Sequence, residues 1–144
     1  MKKFSYLFIT FAICATMAVL TGITPSAKAS DFGDLIKKME TARESLVNMM
    51  LHADKRGPEE QKLVKDTADA VSEHLGKIKA PAGKDAQFKE LVTTWSAFKE
   101  TREKELVPAI LKGDDAEAKK IASGIQKERL TRCKELAGQL DSDI

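Results

Sequence analysis

Met39, His74 and Cys133 are side chains of the types that bind soft metals, and they fall at one predicted level of the chain together with Trp95. The level is estimated by treating successive helices as antiparallel, so that residues at equal distances before and after a turn lie side by side. A methionine, a histidine and a cysteine in one layer form a ligand set suited to copper or haem iron. The alternative is that each of these side chains simply packs in a helical core.

Arg102 is a second candidate, because a guanidinium interrupts an otherwise apolar stripe at this position. On an inward face it needs a partner such as Glu105 or an anionic ligand, since the burial of an unpaired charge is very costly. Together with Arg129 and Arg132 it could offer carboxylate-binding forks to a small anion. The alternative is that Arg102 extends its charged end to water or pairs with Glu105.

Four segments with the periodicity of amphipathic helices must position these residues. Their inward residues recur at spacings of three and four, which places them along one face of a helix. The breaks between the segments contain glycine and proline, at residues 55–58, 80–83 and 113. The predicted inward positions are Phe32, Leu35, Met39, Ala42, Leu46, Met49 and Ala53; Val64, Thr67, Val71, His74 and Ile78; Phe88, Leu91, Trp95, Phe98, Arg102, Leu106, Ala109 and Ile110; and Ala118, Ile121, Ala122, Ile125, Arg129, Cys133, Leu136 and Leu140.

The pattern predicts an all-α fold, an antiparallel up-down-up-down four-helix bundle over residues 30–144. Each apolar stripe must be buried, and the connections are too short for anything but antiparallel neighbours. Pro108 lies within the third segment and removes one backbone donor, so a kink is expected near the last turn of that helix. The apolar patch around Met49 and Met50 exceeds what one bundle can bury, which makes a homodimer an alternative state.

The first 29 residues have the pattern of an export signal peptide. Lys2 and Lys3 give a positive start, roughly 20 apolar residues follow, and Ala27 and Ala29 supply the small residues that signal peptidase needs. The mature protein should therefore work in the periplasm or be secreted. The apolar stretch is also long enough to span a bilayer, so an uncleaved anchor, and with it a membrane location, is the alternative.

Charge and cysteine content narrow the function classes. Without the three lysines of the signal, the 24 basic residues fall to 21 against 22 acidic ones, so nucleic acid is not an electrostatically favoured partner. Of the two cysteines, Cys133 is then the one that remains, which excludes an intramolecular disulfide. Zinc patterns, the CxxCH haem signature, glycine-rich phosphate loops and Ser/His/Asp arrangements are missing. We therefore expect a protein that is not an enzyme.

Residues 91–102, with the sequence LVTTWSAFKETR, and the Gly113-Asp114 pair resemble the four-helix-bundle ligand-sensing domain of bacterial methyl-accepting chemotaxis receptors. In that family a tryptophan, an aromatic residue and an arginine occupy the third helix, and a Gly-Asp turn leads into the fourth. Family domains sit between two transmembrane helices and signal to a cytoplasmic rod. The resemblance implies a free-standing sensor-type bundle that binds a small molecule or a helix of another periplasmic protein. The ligand-binding residues would be Trp95, Arg102, Arg129 and Arg132.

Met39 also falls where the small periplasmic b-type cytochromes, which are similar four-helix bundles, carry a haem-binding methionine. The second haem ligand of that family is a histidine late in the fourth helix, and Cys133 occupies that position in this chain. This resemblance implies the alternative function, a haem- or copper-binding bundle in periplasmic electron transfer or metal handling. Its candidate ligands are Met39, His74 and Cys133.

Overall fold

The computed structural model describes residues 31–142, and these residues form four helices and no strand. The prediction of an all-α fold with four helices is confirmed. The predicted signal peptide, residues 1–29, lies outside the described part of the chain. The elements are α1 (Asp31–Leu51) and α2 (Pro58–Lys77); a third helix made of α3 (Asp85–Thr101), a π-helical turn (Arg102–Leu106) and α4 (Val107–Lys112); and a fourth made of α5 (Asp115–Ile121), a π-helical turn (Ala122–Gln126) and α6 (Lys127–Ser142).

Short turns join the helices at the predicted breaks. A 3₁₀ turn, Ala53–Lys55, follows α1, and Pro58 stands in the first turn of α2, where its missing N–H costs nothing. Gly113 ends the third helix with a φ of 75°, a left-handed conformation that glycine adopts without steric cost. Asp114 then caps the fourth helix, because its carboxylate accepts a hydrogen bond of 3.1 Å from the backbone N–H of Glu117.

The third helix widens into its π turn, Arg102–Leu106, directly before Pro108. The backbone N–H of Val107 donates to the carbonyl of Arg102, five residues earlier instead of four. Proline has no N–H, and its ring collides with the carbonyl four residues before it, here that of Lys104. The wider turn relieves that collision, so the disturbance expected near Pro108 takes the form of a π turn.

The second π turn, Ala122–Gln126, changes which residues of the fourth helix face the core. Gly124 at its centre leaves the helical region, with φ −94° and ψ −112°. One extra residue in a turn rotates all later positions by about 100° relative to a continuous α-helix. The prediction that Ile125 points inward is therefore wrong. Ile125 is 40% exposed, and Gln126 and Leu130, at 4% and 7%, occupy the next inward positions.

The inward face of α2 also differs from the predicted one. Ala68 and Leu75 are buried, whereas Thr67 and His74 are half-buried at the border of the core. Both pairs satisfy a three-four spacing around Val71, so periodicity alone does not separate them. The apolar pair takes the core because polar side chains are costly to bury and find partners more easily at its border.

Two clusters of buried apolar side chains fill the bundle. The larger core surrounds Trp95, whose indole stacks on Phe98 with ring centroids 4.9 Å apart. The smaller core surrounds Leu106 and includes Met49 from α1. The predicted inward residues of α1 are all buried, and Ala53, beyond the end of that helix, is exposed. Within residues 31–142, no helix has both the length and the apolar character to cross a membrane.

Candidate functional site

Met39, Trp95 and Cys133, three of the four residues predicted to share one layer, are all buried in the larger core. Glu40 and Lys134 form an ion pair between α1 and α6. Because these two residues are the chain neighbours of Met39 and Cys133, the thioether and the thiol lie at the same level of the bundle. The sequence estimate of this level therefore agrees with the structure for the first and fourth helices.

His74 does not join this layer. Its Nε2 lies 2.8 Å from the backbone oxygen of Asp31, at the start of α1. Asp31 precedes Met39 by eight residues, which is about 12 Å along a helix. The estimate from the sequence pairs residues across each turn and assumes that the helix axes are parallel. An error of one helical turn, about 5.4 Å, is enough to remove a residue from a layer.

Cys133 is a fully buried thiol in an apolar environment. Burial raises the pKa of this thiol to about 12, because the apolar core disfavours the thiolate. The thiolate is the form that binds metals, so the site holds the weaker ligand form at neutral pH. In the part of the chain that the structure covers, no three His, Cys, Asp or Glu side chains gather closely enough to hold a metal ion.

The buried thiol makes the stability of the protein sensitive to alkaline pH. The pKa of Cys133 rises from an ordinary value of 9.0 to about 12 on folding. Between these values the unfolded thiol ionises and the folded one does not, so the unfolded state binds fewer protons and stability falls as pH rises. At pH 10.5 we expect the thiol to lower the free energy of unfolding by about 2 kcal/mol relative to pH 8.

Urea unfolding of the wild type and of Cys133→Ala at these two pH values measures this effect. The other titrating groups are common to both proteins, so the difference between their pH dependences isolates the thiol. Equal falls in stability in the two proteins would contradict the prediction.

Arg102 is fully buried and holds three helices together. Its Nη1 donates to the backbone oxygen of Ala42 at 2.7 Å, and its Nη2 donates to that of Val64 at 2.8 Å and to Ser45 Oγ at 3.4 Å. It forms no ion pair with any residue between 31 and 142, and Glu105 is exposed. Desolvation lowers the pKa of Arg102 to about 10. The two Nη groups therefore donate to α1 and α2, and the Nε is buried without a partner among the described residues.

Arg129 and Arg132 are also engaged with neighbouring side chains and backbone. Arg129 donates to the backbone oxygen of Ala97 at 2.9 Å and to Thr101 Oγ1 at 2.6 Å. Arg132 Nε donates to Glu90 at 2.8 Å, and this hydrogen bond raises the pKa of the arginine. Both arginines therefore link the fourth helix to the third.

Trp95 completes the set of residues predicted to bind a ligand, and its polar atom is occupied as well. Its indole N–H donates to Ser72 Oγ at 3.0 Å. Arg102 lines a cavity of about 480 Å³ bounded by Glu103 and Val107. Trp95, Arg129 and Arg132 do not line this cavity.

An open groove of about 570 Å³ lies between the first and fourth helices. It is located where the two cores meet, and Phe98 and Leu106 of the third helix form its floor. The fourth helix presents Ala122 and Ser123 here, which are too small to fill the space against α1. The apolar residues that line the groove are Leu46, Val47, Met50, Phe98, Leu106, Ala122 and Leu130.

Basic side chains surround the opening of this groove. Arg43, Lys119 and Lys127 line it, and none of them forms an ion pair with a residue in the described range 31–142. Lys134 also lines it and is neutralised by Glu40, the acidic residue of the lining. The groove therefore combines an apolar floor with three uncompensated positive charges, a field that attracts anions.

Gln126 lines the groove and holds a buried, unused hydrogen-bond acceptor. Its Nε2 donates to the backbone oxygen of Phe98 at 3.0 Å, and its Oε1 is buried with no partner among residues 31–142. The bond to a carbonyl fixes the orientation of the amide, because only the NH₂ group can donate. A buried acceptor without a partner is unfavourable, and a ligand donor would relieve that cost.

Three-four periodicity does not predict this groove, because the π turn decides which residues border it. A continuous helix would place Ile125 inward and Gln126 beside it. The signal that could have located the groove is the Ser123-Gly124 pair, two weak helix formers in the middle of an amphipathic segment.

No protein-family model, no curated protein sequence and no solved structure matches this chain significantly.

Proposed function

We propose that this chain is a non-enzymatic exported protein of the chemotaxis-sensor type, which binds a small ligand in the groove between its first and fourth helices. The observation that carries the proposal is the groove itself, about 570 Å³ with an apolar floor and a basic rim. This volume falls within the roughly 300–1,000 Å³ typical of small-molecule sites. A partner helix would need a longer apolar surface, because stable protein interfaces bury about 800 Å² on each side.

We also propose an up-down-up-down order for the four helices. Hydrogen bonds between the first two helices support it, because the partner in α2 moves backwards along the chain as the partner in α1 moves forwards. The third and fourth helices follow the same rule. The pairs are Asp31 with His74, Ser45 with Thr67, Gln87 with Gln139, and Phe98 with Gln126.

The sensor-type role rests on the resemblance of residues 91–102 to chemotaxis receptors and on the predicted export signal of residues 1–29. In this proposal the protein works in the periplasm or outside the cell, and another protein carries any signal across the membrane. A homodimer is compatible with it, because Leu51 at the end of α1 is 67% exposed. Haem or copper binding at Met39, His74 and Cys133 stays a prediction that an absorption spectrum and metal analysis would test.

Blocking the groove tests the proposed function. We expect the neutral apolar fluorophore N-phenyl-1-naphthylamine to bind the wild type saturably, with one site per chain. The variant Ala122→Trp fills the groove with an indole, and we expect it to weaken this binding at least about tenfold, or 1.4 kcal/mol. The measurement is a fluorescence titration, with circular dichroism to check that the variant is folded.

The matched control is Ala116→Trp, the same substitution at an exposed position of α5 outside the groove. It should bind the fluorophore as the wild type does. Absence of saturable binding to the wild type, or equal loss in both variants, would overturn the proposal.

A further inference from the structure

We infer that the ligand of the groove is an amphipathic carboxylate with a hydrogen-bond donor between its acid group and its apolar chain, an acylated amino acid in its simplest form. The inference rests on the proposed function and specifies its ligand class. Three independent features of the groove carry it: the length of the apolar floor, the charge of the rim and the unpaired Gln126 acceptor.

The floor suits an extended chain rather than a compact molecule. The apolar groove residues of the third helix run from Phe98 to Leu106, eight residues or about 12 Å of helix. On the fourth helix they run from Ala122 to Leu130, again about 12 Å. An alkyl chain that lies along the groove would cover apolar atoms of both cores. Each methylene that it buries should strengthen binding about fourfold.

The rim favours a negative head group over a neutral or positive one. Lys134 is paired with Glu40, which leaves Arg43, Lys119 and Lys127 without an anionic partner among the described residues. Arg43 on α1 and Lys127 on the fourth helix stand on opposite sides of the opening, so a carboxylate at its edge can approach them without burying its charge, and Lys119 lies about 12 Å along the helix from Lys127. Exposed pairs of this kind are individually weak, so the three together set selectivity rather than most of the affinity.

Gln126 selects a donor on the ligand. Its amide is 4% exposed and lines the groove, and its Nε2 is already used by Phe98. The free Oε1 can accept a hydrogen bond but cannot donate one, so a simple fatty acid, which has no donor once ionised, leaves it unpaired. An amide N–H close to the carboxylate supplies that donor once a rotation of the Gln126 side chain brings the buried Oε1 to the surface of the groove.

Calorimetric titration of the full chain with four related compounds, each below its critical micelle concentration, tests the inference. N-decanoylglycine should bind one site per chain. We expect N-octanoylglycine to bind about fifteenfold more weakly because it lacks two methylenes. The methyl ester of N-decanoylglycine, which has no charge, and N-decanoylsarcosine, which has no N–H, should each bind about fivefold or more weakly.

Paired charge variants test the rim without touching the core. Arg43→Gln with Lys127→Gln should weaken N-decanoylglycine binding about tenfold and leave binding of the ester unchanged. Lys79→Gln with Lys112→Gln removes the same net charge at exposed positions outside the groove and should change neither.

The outcomes separate this inference from the proposed function. Saturable binding of the neutral fluorophore, with no preference for the acid over the ester or for the N–H over the N-methyl compound, overturns the ligand class and leaves the groove as a binding site. Failure of both the fluorophore and the acylglycines overturns both proposals. A dimer that Ala122→Trp dissociates in sedimentation would mean that a second copy occupies the groove, which also overturns the inference.

Discussion

A variant that lacks Gly124 should remain a cooperatively folded bundle, whereas a variant that lacks Glu135 should lose cooperative unfolding. Gly124 lies within the five-residue π turn of the fourth helix, and Glu135 is an exposed residue of α6. Deleting one residue from the π turn leaves an ordinary α-helical turn. The helix on either side then keeps its phase relative to the core.

The expected sizes of the two effects follow from the residues that stay buried. Without Gly124, Ile121, Gln126 and Leu130 become separated by four residues each, which is the spacing of one continuous inward face. Removal of a glycine from a helix is itself favourable by about 1 kcal/mol. We expect the free energy of unfolding to stay within about 1 kcal/mol of the wild-type value.

Without Glu135, the remaining residues of α6 rotate by about 100°, and Leu136 and Leu140 leave the larger core. Burial of a leucine contributes about 1.5–3 kcal/mol, so the two together contribute about 3–6 of the 5–15 kcal/mol that stabilise a typical domain. If the π turn instead becomes an α-helical turn, Leu136 and Leu140 stay in the core, but Leu130 and Cys133 rotate out of it. Either way a large part of the core is exposed.

Urea unfolding followed by circular dichroism measures both variants, through the midpoint and the m-value of the transition. The Glu135 deletion should show a broad transition with a reduced m-value. If deletion of Gly124 is as damaging as deletion of Glu135, the π turn does not set the phase of the fourth helix.

The same π turn marks the limit of what the sequence predicts. Three-four periodicity located all four helices, the breaks between them and most of the buried residues, because a continuous apolar stripe must be buried whatever the details of packing. The prediction failed at Ile125, where one extra residue shifts the stripe. It also failed at Thr67 and His74, where two sets of residues fit the period equally well.

The candidate site was less predictable than the fold for a related reason. Arg102 was correctly identified as an inward guanidinium, but its partners are the backbone oxygens of Ala42 and Val64, which no sequence pattern encodes. The groove depends on small residues on one helix facing the edge of another. Such a space follows from packing in three dimensions and leaves no periodic signal.

Arg102→Ala should lower the free energy of unfolding by about 3–5 kcal/mol, the range for truncating a large buried side chain and leaving a cavity. The substitution removes three hydrogen bonds that join the third helix to α1 and α2, and it leaves a space in place of a fully buried side chain. Urea unfolding at pH 7 measures the loss. Arg132→Ala, which removes an exposed ion pair with Glu90, should cost no more than about 1 kcal/mol.

Arg102→Met separates the shape of the side chain from its charge. Methionine retains most of the volume, and the carbonyls of Ala42 and Val64 lie within helices, so each keeps its acceptor role in the helical ladder. The substitution also removes a cation whose burial lowers its pKa to about 10, a sign that the folded state disfavours the charge. We therefore expect Arg102→Met to be more stable than Arg102→Ala by at least about 2 kcal/mol. Equal losses in the two variants would mean that the hydrogen bonds of the guanidinium, rather than the space it fills, stabilise the junction of the three helices.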